Sequence, residues 1–288
     1  MTGIKTYILS VLYIFVCGNR SLQWPLPEQC GKTRFDLRNE FRIIEGEEAC
    51  LGEFPWAARL GVFMGKDRIS FVCAGSLISK YYVISAAHCM RSNMVRLGEN
   101  YLDTDPDCND TCAPKPQDIK IENYIKHDLY SSTSHTYDYA LLELEKPVEF
   151  NDFVHPICLP PAPIPHEDLK SEHVYIAGWG IINRTEFTQY ATRLMYITAP
   201  ILDAKPCNEL YHRELIDSQL CIGYQKGKDS CAGDSGGPVF KAMTKNKQDR
   251  AHLIGVVSYG LRACGQGPAV YTDVSYFVQW TLERIKKK

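Results

Sequence analysis

The stretch FVCAGSLISKYYVISAAHCM, residues 71–90, holds two short runs rich in Val, Ile, Tyr and Phe, FVCAGSLI and YYVISA, and reaches a histidine, His88, near its end. Runs of this length and composition between turn residues are strand signals. The pattern recurs on both sides: AARLGVF before it, and IKIENYI, YALLEL, VYIAGW, RLMYITA, HLIGVVSY and AVYTDV after it. A body built this way from Ile43 onward is an all-β barrel or sandwich, and residues 43–288 suit one double-barrel domain. Helical spacing shows only at the end. There Val274, Phe277, Val278, Trp280, Thr281, Leu282 and Ile285 form an apolar stripe ahead of the basic tail Lys286, Lys287 and Lys288. Such a terminal helix is expected to dock on its own domain.

The chain has 288 residues, 45% of them hydrophobic, and a net charge of -2. That is enough apolar material for a sizeable core, and no run of one sign would draw the chain to nucleic acid or an anionic membrane. Near the N-terminus, Lys5 precedes the apolar stretch TYILSVLYIFVC, which gives way to Gly18 and then to the polar Asn19 and Arg20. This is the order of a secretory signal peptide, residues 1–18, and the run is well short of the roughly 20 residues a membrane-spanning helix needs. Residues 19–42, broken by Pro25, Pro27 and Gly31, read as a connector. The 12 cysteines then read as disulfide partners formed in an oxidising compartment. With no Cys-x-x-Cys pair and no His-Glu-x-x-His motif, no metal site is expected.

Three segments carry side chains suited to nucleophilic catalysis. DSCAGDSGGPVF, from Asp229 to Phe240, sets Ser235 among small residues that let a substrate backbone come close. VISAAHCM places His88 just after an apolar strand, and YDYALLEL places Asp138 just before one. A serine hydroxyl attacks only when a base within hydrogen-bond reach takes its proton. Each residue alone has an ordinary reading, as a turn serine, a core histidine or a strand cap. Together, in the order His, Asp, Ser, the segments resemble the chymotrypsin-like (trypsin-like) serine proteases, and the resemblance covers essentially everything from Ile43 onward.

That resemblance implies two six-stranded antiparallel β-barrels with a C-terminal α-helix. It makes Ser235 the nucleophile, His88 the general base and then acid, and Asp138 the carboxylate that orients the imidazole. It places an oxyanion hole at the backbone N–H groups of Gly233 and Ser235, with the Ser258 hydroxyl supporting Asp138. His127, His135 and His155 lack such contexts and read as surface or structural. The pocket for the residue before the scissile bond has Asp229 at its floor beside Ser230, with walls at Ser258, Tyr259 and Gly260 and at Pro268, Ala269, Val270 and Tyr271. A buried carboxylate there selects Arg or Lys. The family carries glycine where Ala269 stands. One methyl group is worth about 1–3 kcal/mol between competing side chains, and Arg is the expected preference.

Arg42 followed by Ile43, in RIIEG, resembles the family's activation site, where cleavage frees an ammonium group to pair with Asp234 and residues 19–42 become a light chain. Family spacing implies bridges between Cys73 and Cys89, Cys207 and Cys221, and Cys231 and Cys264. The loop NYLDTDPDCNDTCAPKPQDIKIE resembles the catalytic domains of arthropod clip-domain proteases, where two cysteines of this loop, here Cys108 and Cys112, are joined. Cys30 would then pair with Cys158 and hold the severed light chain. No six-cysteine clip module stands ahead of Arg42, and Cys50 is left unassigned. Glu99 and the acidic residues after it suggest a calcium loop, but Pro116 stands where calcium-binding relatives carry a second glutamate. A solvated acidic loop is therefore expected rather than a Ca2+ site, and no cofactor is required. Asn109 with Thr111 and Asn183 with Thr185 form glycosylation sequons.

The expected function is that of a secreted endopeptidase zymogen acting on protein substrates, switched on by an upstream protease and checked by serpin-type inhibitors. Neither nucleic acid nor membrane is an expected partner. The resemblance points to an extracellular cascade such as innate immunity, through prophenoloxidase activation or processing of a cytokine-like ligand. Two alternatives stay open: a digestive trypsin-like protease, which usually sheds its propeptide, and a non-catalytic homologue acting as a binding module, which usually shows glycine in place of the nucleophile.

Overall fold

The computed structural model describes residues 26–35, 47–65, 68–109, 111–161, 163–181, 189–223, 232–245, 248–261 and 264–285. The strands are β1 (Glu47–Glu48), β2 (Ala57–Phe63), β3 (Ile69–Leu77), β4 (Tyr82–Ser85), β5 (Met94–Leu97), β6 (Gln117–Lys126), β7 (Ala140–Leu144), β8 (His173–Gly178), β9 (Met195–Leu202), β10 (Gln219–Ile222), β11 (Pro238–Lys245), β12 (Gln248–Tyr259) and β13 (Ala269–Asp273). The helices are α1 (His166–Leu169), α2 (Ala204–Tyr211) and α3 (Val274–Arg284). Strands β2-β3-β4-β7-β6-β5 close into one antiparallel barrel. Strands β9-β10-β13-β12-β11-β8 form a second, closed by the pairing of β8 with β9, and β1 adds to β9 at its side.

Full burial of Leu60, Leu77, Ile84, Leu97 and Ile119 fills the first barrel. A second apolar cluster around Ile201, Leu220, Ile222, Val239, Ile254 and Tyr271 fills the other. Aromatic rings lock the two together: Phe240 of β11 lies 5.0 Å from Phe54, 5.2 Å from Trp56 and stacks on Tyr175 at 5.4 Å. Burying each such ring contributes on the order of 1.5–3 kcal/mol, so the seam between barrels is as firm as their interiors. That seam is where the chemistry-bearing loops meet.

The apolar runs fall on strands, and four further strands, β1, β5, β10 and β11, lie outside them. β11 opens on a proline and β5 carries half-buried Arg96, which dilutes the strand signal. The helical content also exceeds the sequence expectation, which found a helix only at the end: α1 and α2 are additional. In α2 only Cys207 is buried, so no apolar stripe advertises it. It is held instead by the Cys207–Cys221 disulfide and by the Tyr211 hydroxyl, which donates to the Pro268 carbonyl at 2.9 Å.

The terminal helix α3 docks as its stripe requires. Asp273 caps it by accepting from the Ser275 N–H at 2.8 Å, which satisfies one of the orphan donors of the first turn. Phe277 stacks on Tyr139 with ring centroids 4.5 Å apart, and the Tyr139 hydroxyl meets Thr281 Oγ1 at 2.8 Å. Since Tyr139 follows Asp138 in the chain, the helix braces the acid of the expected triad. Among the described residues no helix is long and apolar enough to cross a membrane.

Residues 26–35 pack on the body far from their sequence neighbours. Cys30 is bonded to Cys158, the Gly31 N–H donates to the Pro156 carbonyl at 2.7 Å, and the Ala251 N–H donates to the Gly31 carbonyl at 3.0 Å. Cys73 is joined to Cys89, Cys108 to Cys112 and Cys207 to Cys221. Cys264 is also disulfide-bonded, and its expected partner Cys231 lies outside the described residues.

Candidate active site

His88 sits on a single 3-10 turn, Ala87–Cys89, that follows β4. The disulfide from Cys89 to Cys73 pins that turn to β3, and the next residue of β3, Ala74, donates its N–H to the Ser235 carbonyl at 2.8 Å. One short stretch of β3 thus fixes the histidine turn and the serine loop side by side. A Cβ on Gly236 would come within 3.1 Å of the Ala86 nitrogen, so the residue after Ser235 touches the chain two positions before His88.

Asp138 enters from the other side, just ahead of β7, and is buried. Its Oδ2 lies 2.7 Å from His88 Nδ1 and its Oδ1 accepts the His88 backbone N–H at 3.0 Å. The Ser258 hydroxyl, on β12, donates to Oδ2 at 2.6 Å, and Thr272 Oγ1 of β13 donates to the Asp138 carbonyl at 2.8 Å. Burial alone would push this carboxyl up, but the hydrogen bond and charge of His88, with the Ser258 hydroxyl, outweigh it and hold the pKa below the ordinary carboxylate value. A carboxylate cannot donate, so His88 Nδ1 carries the proton, and in the neutral imidazole this leaves the lone pair on Nε2. That is the tautomer a general base requires.

The serine loop is shaped by glycine. Gly233 has φ +104°, in the region where side chains are rarely accommodated, and the turn carries its peptide past Gly180. Asp234 is buried, and its Oδ1 accepts the Gly180 N–H at 2.7 Å. A Cβ on Gly180 would stand 2.6 Å from the Asp234 Cγ, and one on Gly178 2.8 Å from it. Only glycine at these two positions leaves room for the carboxylate.

Of the expected pocket, Ser258 and Ala269 are buried, Tyr259 is half-buried and Gly260 exposed. The Tyr259 ring is hemmed in by Tyr211 at 5.3 Å and His135 at 5.5 Å, with the Arg213 guanidinium 4.4 Å from its centroid. Asp229, Ser230, Arg42, Ile43 and Asn183 lie outside the described residues, as does the expected signal segment 1–18. Asn109 is exposed, and its amide donates to the Tyr101 hydroxyl at 3.0 Å. Glu99 is buried against Arg96, with Oε2 3.1 Å from the Arg96 Nη1. Burial raises its pKa, and Arg96 pulls the other way. Asp107 accepts from the Asn100 and Tyr101 N–H groups at 2.8 and 2.9 Å and from Thr104 Oγ1 at 2.9 Å.

His135, read from the sequence as surface or structural, is half-buried beside His88. Its ring meets that of His88 edge-on, with centroids 5.9 Å apart, and burial lowers its pKa despite the opposing pull of Asp138. It also takes the left-handed conformation, φ +51°. Its position three residues ahead of Asp138 was the only signal in the sequence, because the turn that swings it toward His88 is a matter of backbone conformation.

The sequence matches the Trypsin family over residues 43–281. The chain belongs to that family. As a trypsin-family member it is a serine-type endopeptidase, and its relatives point to one branch. It is 38% identical to phenoloxidase-activating factor 3 of Holotrichia diomphalia across 95% of this chain and 80% of that protein. It is 35% identical to the Spaetzle-processing enzyme of Drosophila melanogaster across 85% of this chain and 66% of that protein. Among solved structures, the Drosophila Grass clip serine protease of the Toll pathway superposes with a TM-score of 0.76 at 30% identity, covering 92% of this chain and 77% of the other. The trypsin-family barrels described above are those of the chymotrypsin fold.

Proposed function

We propose that this protease is a secreted zymogen of an extracellular proteolytic cascade, cleaving protein substrates after Arg through Ser235, His88 and Asp138. The observation that carries the reading is the 2.7 Å contact between His88 Nδ1 and the buried Asp138 carboxylate. Ser235 Oγ passes its proton to His88 Nε2 as it attacks the scissile carbonyl, and the N–H groups of Gly233 and Ser235 receive the developing oxyanion. The imidazolium, steadied by Asp138, then protonates the leaving amine, and water repeats the cycle to release the acyl group. Asp229 at the pocket floor draws the substrate cation.

Activation follows from cleavage after Arg42 by an upstream protease, which frees the Ile43 ammonium to pair with Asp234. The bridge from Cys30 to Cys158 supports a light chain that stays attached, as suits a regulatory enzyme better than a digestive one. The names of the relatives, a phenoloxidase-activating factor and a Spaetzle-processing enzyme, support a role in innate immunity. Residues 1–18 act as the signal peptide, Asn109 and Asn183 as glycan acceptors, and serpin-type inhibitors as natural brakes. The Arg96–Glu99 pair supports a loop held by an internal cation rather than by Ca2+. The test is hydrolysis of an arginyl ester before and after verified cleavage at Arg42, with Ser235→Ala as control. Turnover should arise only after cleavage and only with Ser235 present; a cleaved chain without turnover would leave a binding module instead.

A further inference from the structure

We propose that His88 and His135 together form a binding site for a zinc-class divalent cation that reversibly silences the enzyme. The silencing rests on the protease reading above; the binding does not. A ring nitrogen of each histidine and a carboxylate oxygen of Asp138 lie within 4.8 Å of one another. The Asp138 oxygens already accept from His88 Nδ1, the His88 N–H and Ser258, so Asp138 stays an orienting group and the two imidazoles are the ligands. A histidine whose second nitrogen donates to a carboxylate is the arrangement that fixes and strengthens a metal-binding imidazole. His88 already has it.

His135 supplies the second nitrogen. Its Nδ1 is buried with no hydrogen-bond partner among the described residues, so no bond from that atom resists a turn of the ring. Zinc binds imidazole nitrogen at about 2.0–2.1 Å, so two tetrahedral ligands stand roughly 3.4 Å apart. The two rings already meet edge-on, with centroids 5.9 Å apart, and rotation of the side chains brings the two nitrogens to that separation. Paired imidazoles suit zinc, copper and nickel rather than magnesium or calcium. The neighbouring group of Cys73, His88 and Cys89 offers no such site, because both sulfurs are in a disulfide. A cation on His88 Nε2 occupies the lone pair that must receive the Ser235 proton, so bound metal and turnover exclude each other.

The experiment separates binding from turnover. The full chain carrying Ser235→Ala, stripped with a chelator, is titrated with zinc chloride by calorimetry. One site per chain is expected, weakened at least tenfold by His88→Ala and by His135→Asn. Asparagine is chosen because it tolerates the left-handed backbone at this position. In parallel, zinc chloride should inhibit arginyl-ester hydrolysis by the activated enzyme, with recovery on adding EDTA and at least a tenfold higher inhibitory concentration for His135→Asn. No zinc uptake by the parent, unchanged affinity in His135→Asn, or hydrolysis indifferent to zinc would each overturn the proposal. A chain that binds zinc through both histidines yet never hydrolyses the ester would sink the protease reading and leave the cation site standing.

Discussion

Replacing Gly180 by alanine should cripple the enzyme while sparing its fold, because the added methyl group occupies the seat of Asp234. The new Cβ would lie 2.6 Å from the Asp234 Cγ and 2.7 Å from its Oδ1, whereas real contacts of this kind stay beyond 3.0 Å. The carboxylate must therefore move and lose the 2.7 Å hydrogen bond from the Gly180 N–H. A hydrogen bond to a charged group is worth about 1.5–3 kcal/mol, which converts to a loss of about 10- to 150-fold in the population holding the working loop. Because Asp234 lies between Gly233 and Ser235, the displaced population also misplaces the two N–H groups proposed as oxyanion donors. The assay is kcat/KM on an arginyl ester after cleavage at Arg42, beside thermal unfolding to confirm a folded chain. Gly178→Ala, with its Cβ 2.8 Å from the same Cγ, should behave alike. Unchanged kcat/KM in both variants would refute the idea that this seat governs the oxyanion loop.

Asp138→Asn should lower kcat by about 10⁴-fold, as loss of the correct His tautomer does in Ser-His-Asp triads; steady-state kinetics on the activated enzyme decides it. Because the pKa of Asp138 is lowered in the folded chain, its stabilising contribution is present above the ordinary carboxylate value of about 4 and fades as pH falls from there through the folded value. Acid titration of the unfolding midpoint should therefore fall more steeply for the parent than for Asp138→Asn. Replacing Cys30 and Cys158 together by serine should cost about 2–5 kcal/mol of stability and, in non-reducing mass analysis after cleavage at Arg42, let the light chain separate. Phe277→Ala should destabilise the protein by about 3–5 kcal/mol in denaturant unfolding, since it removes the ring stacked on Tyr139.

What could be read in the sequence and what could not divide along a physical line. The segments bearing His88, Asp138 and Ser235 were legible because each abuts a strand whose apolar run fixes its position, and a barrel of known strand order leaves little freedom in where strand ends meet. The stripe of α3 was legible for the same reason, since Phe277 and Thr281 both face Tyr139. By contrast, α2 hides because a disulfide, not an apolar face, anchors it. His135 hides for a different reason: two positive φ angles, at His135 and Tyr137, reverse the chain just ahead of Asp138, and neither residue type announces such a turn. A left-handed conformation at a bulky residue costs of order 1–3 kcal/mol and persists only where the surroundings impose it. Here those surroundings are the rings of His88 and Tyr259 and the Arg213 guanidinium, whose own hydrogen bond to the Ser134 carbonyl clamps the residue before the turn. The strain at His135 is thus maintained by its ring neighbours, His88 among them, so a substitution that relaxes the turn should alter substrate handling even though it replaces none of His88, Asp138 and Ser235.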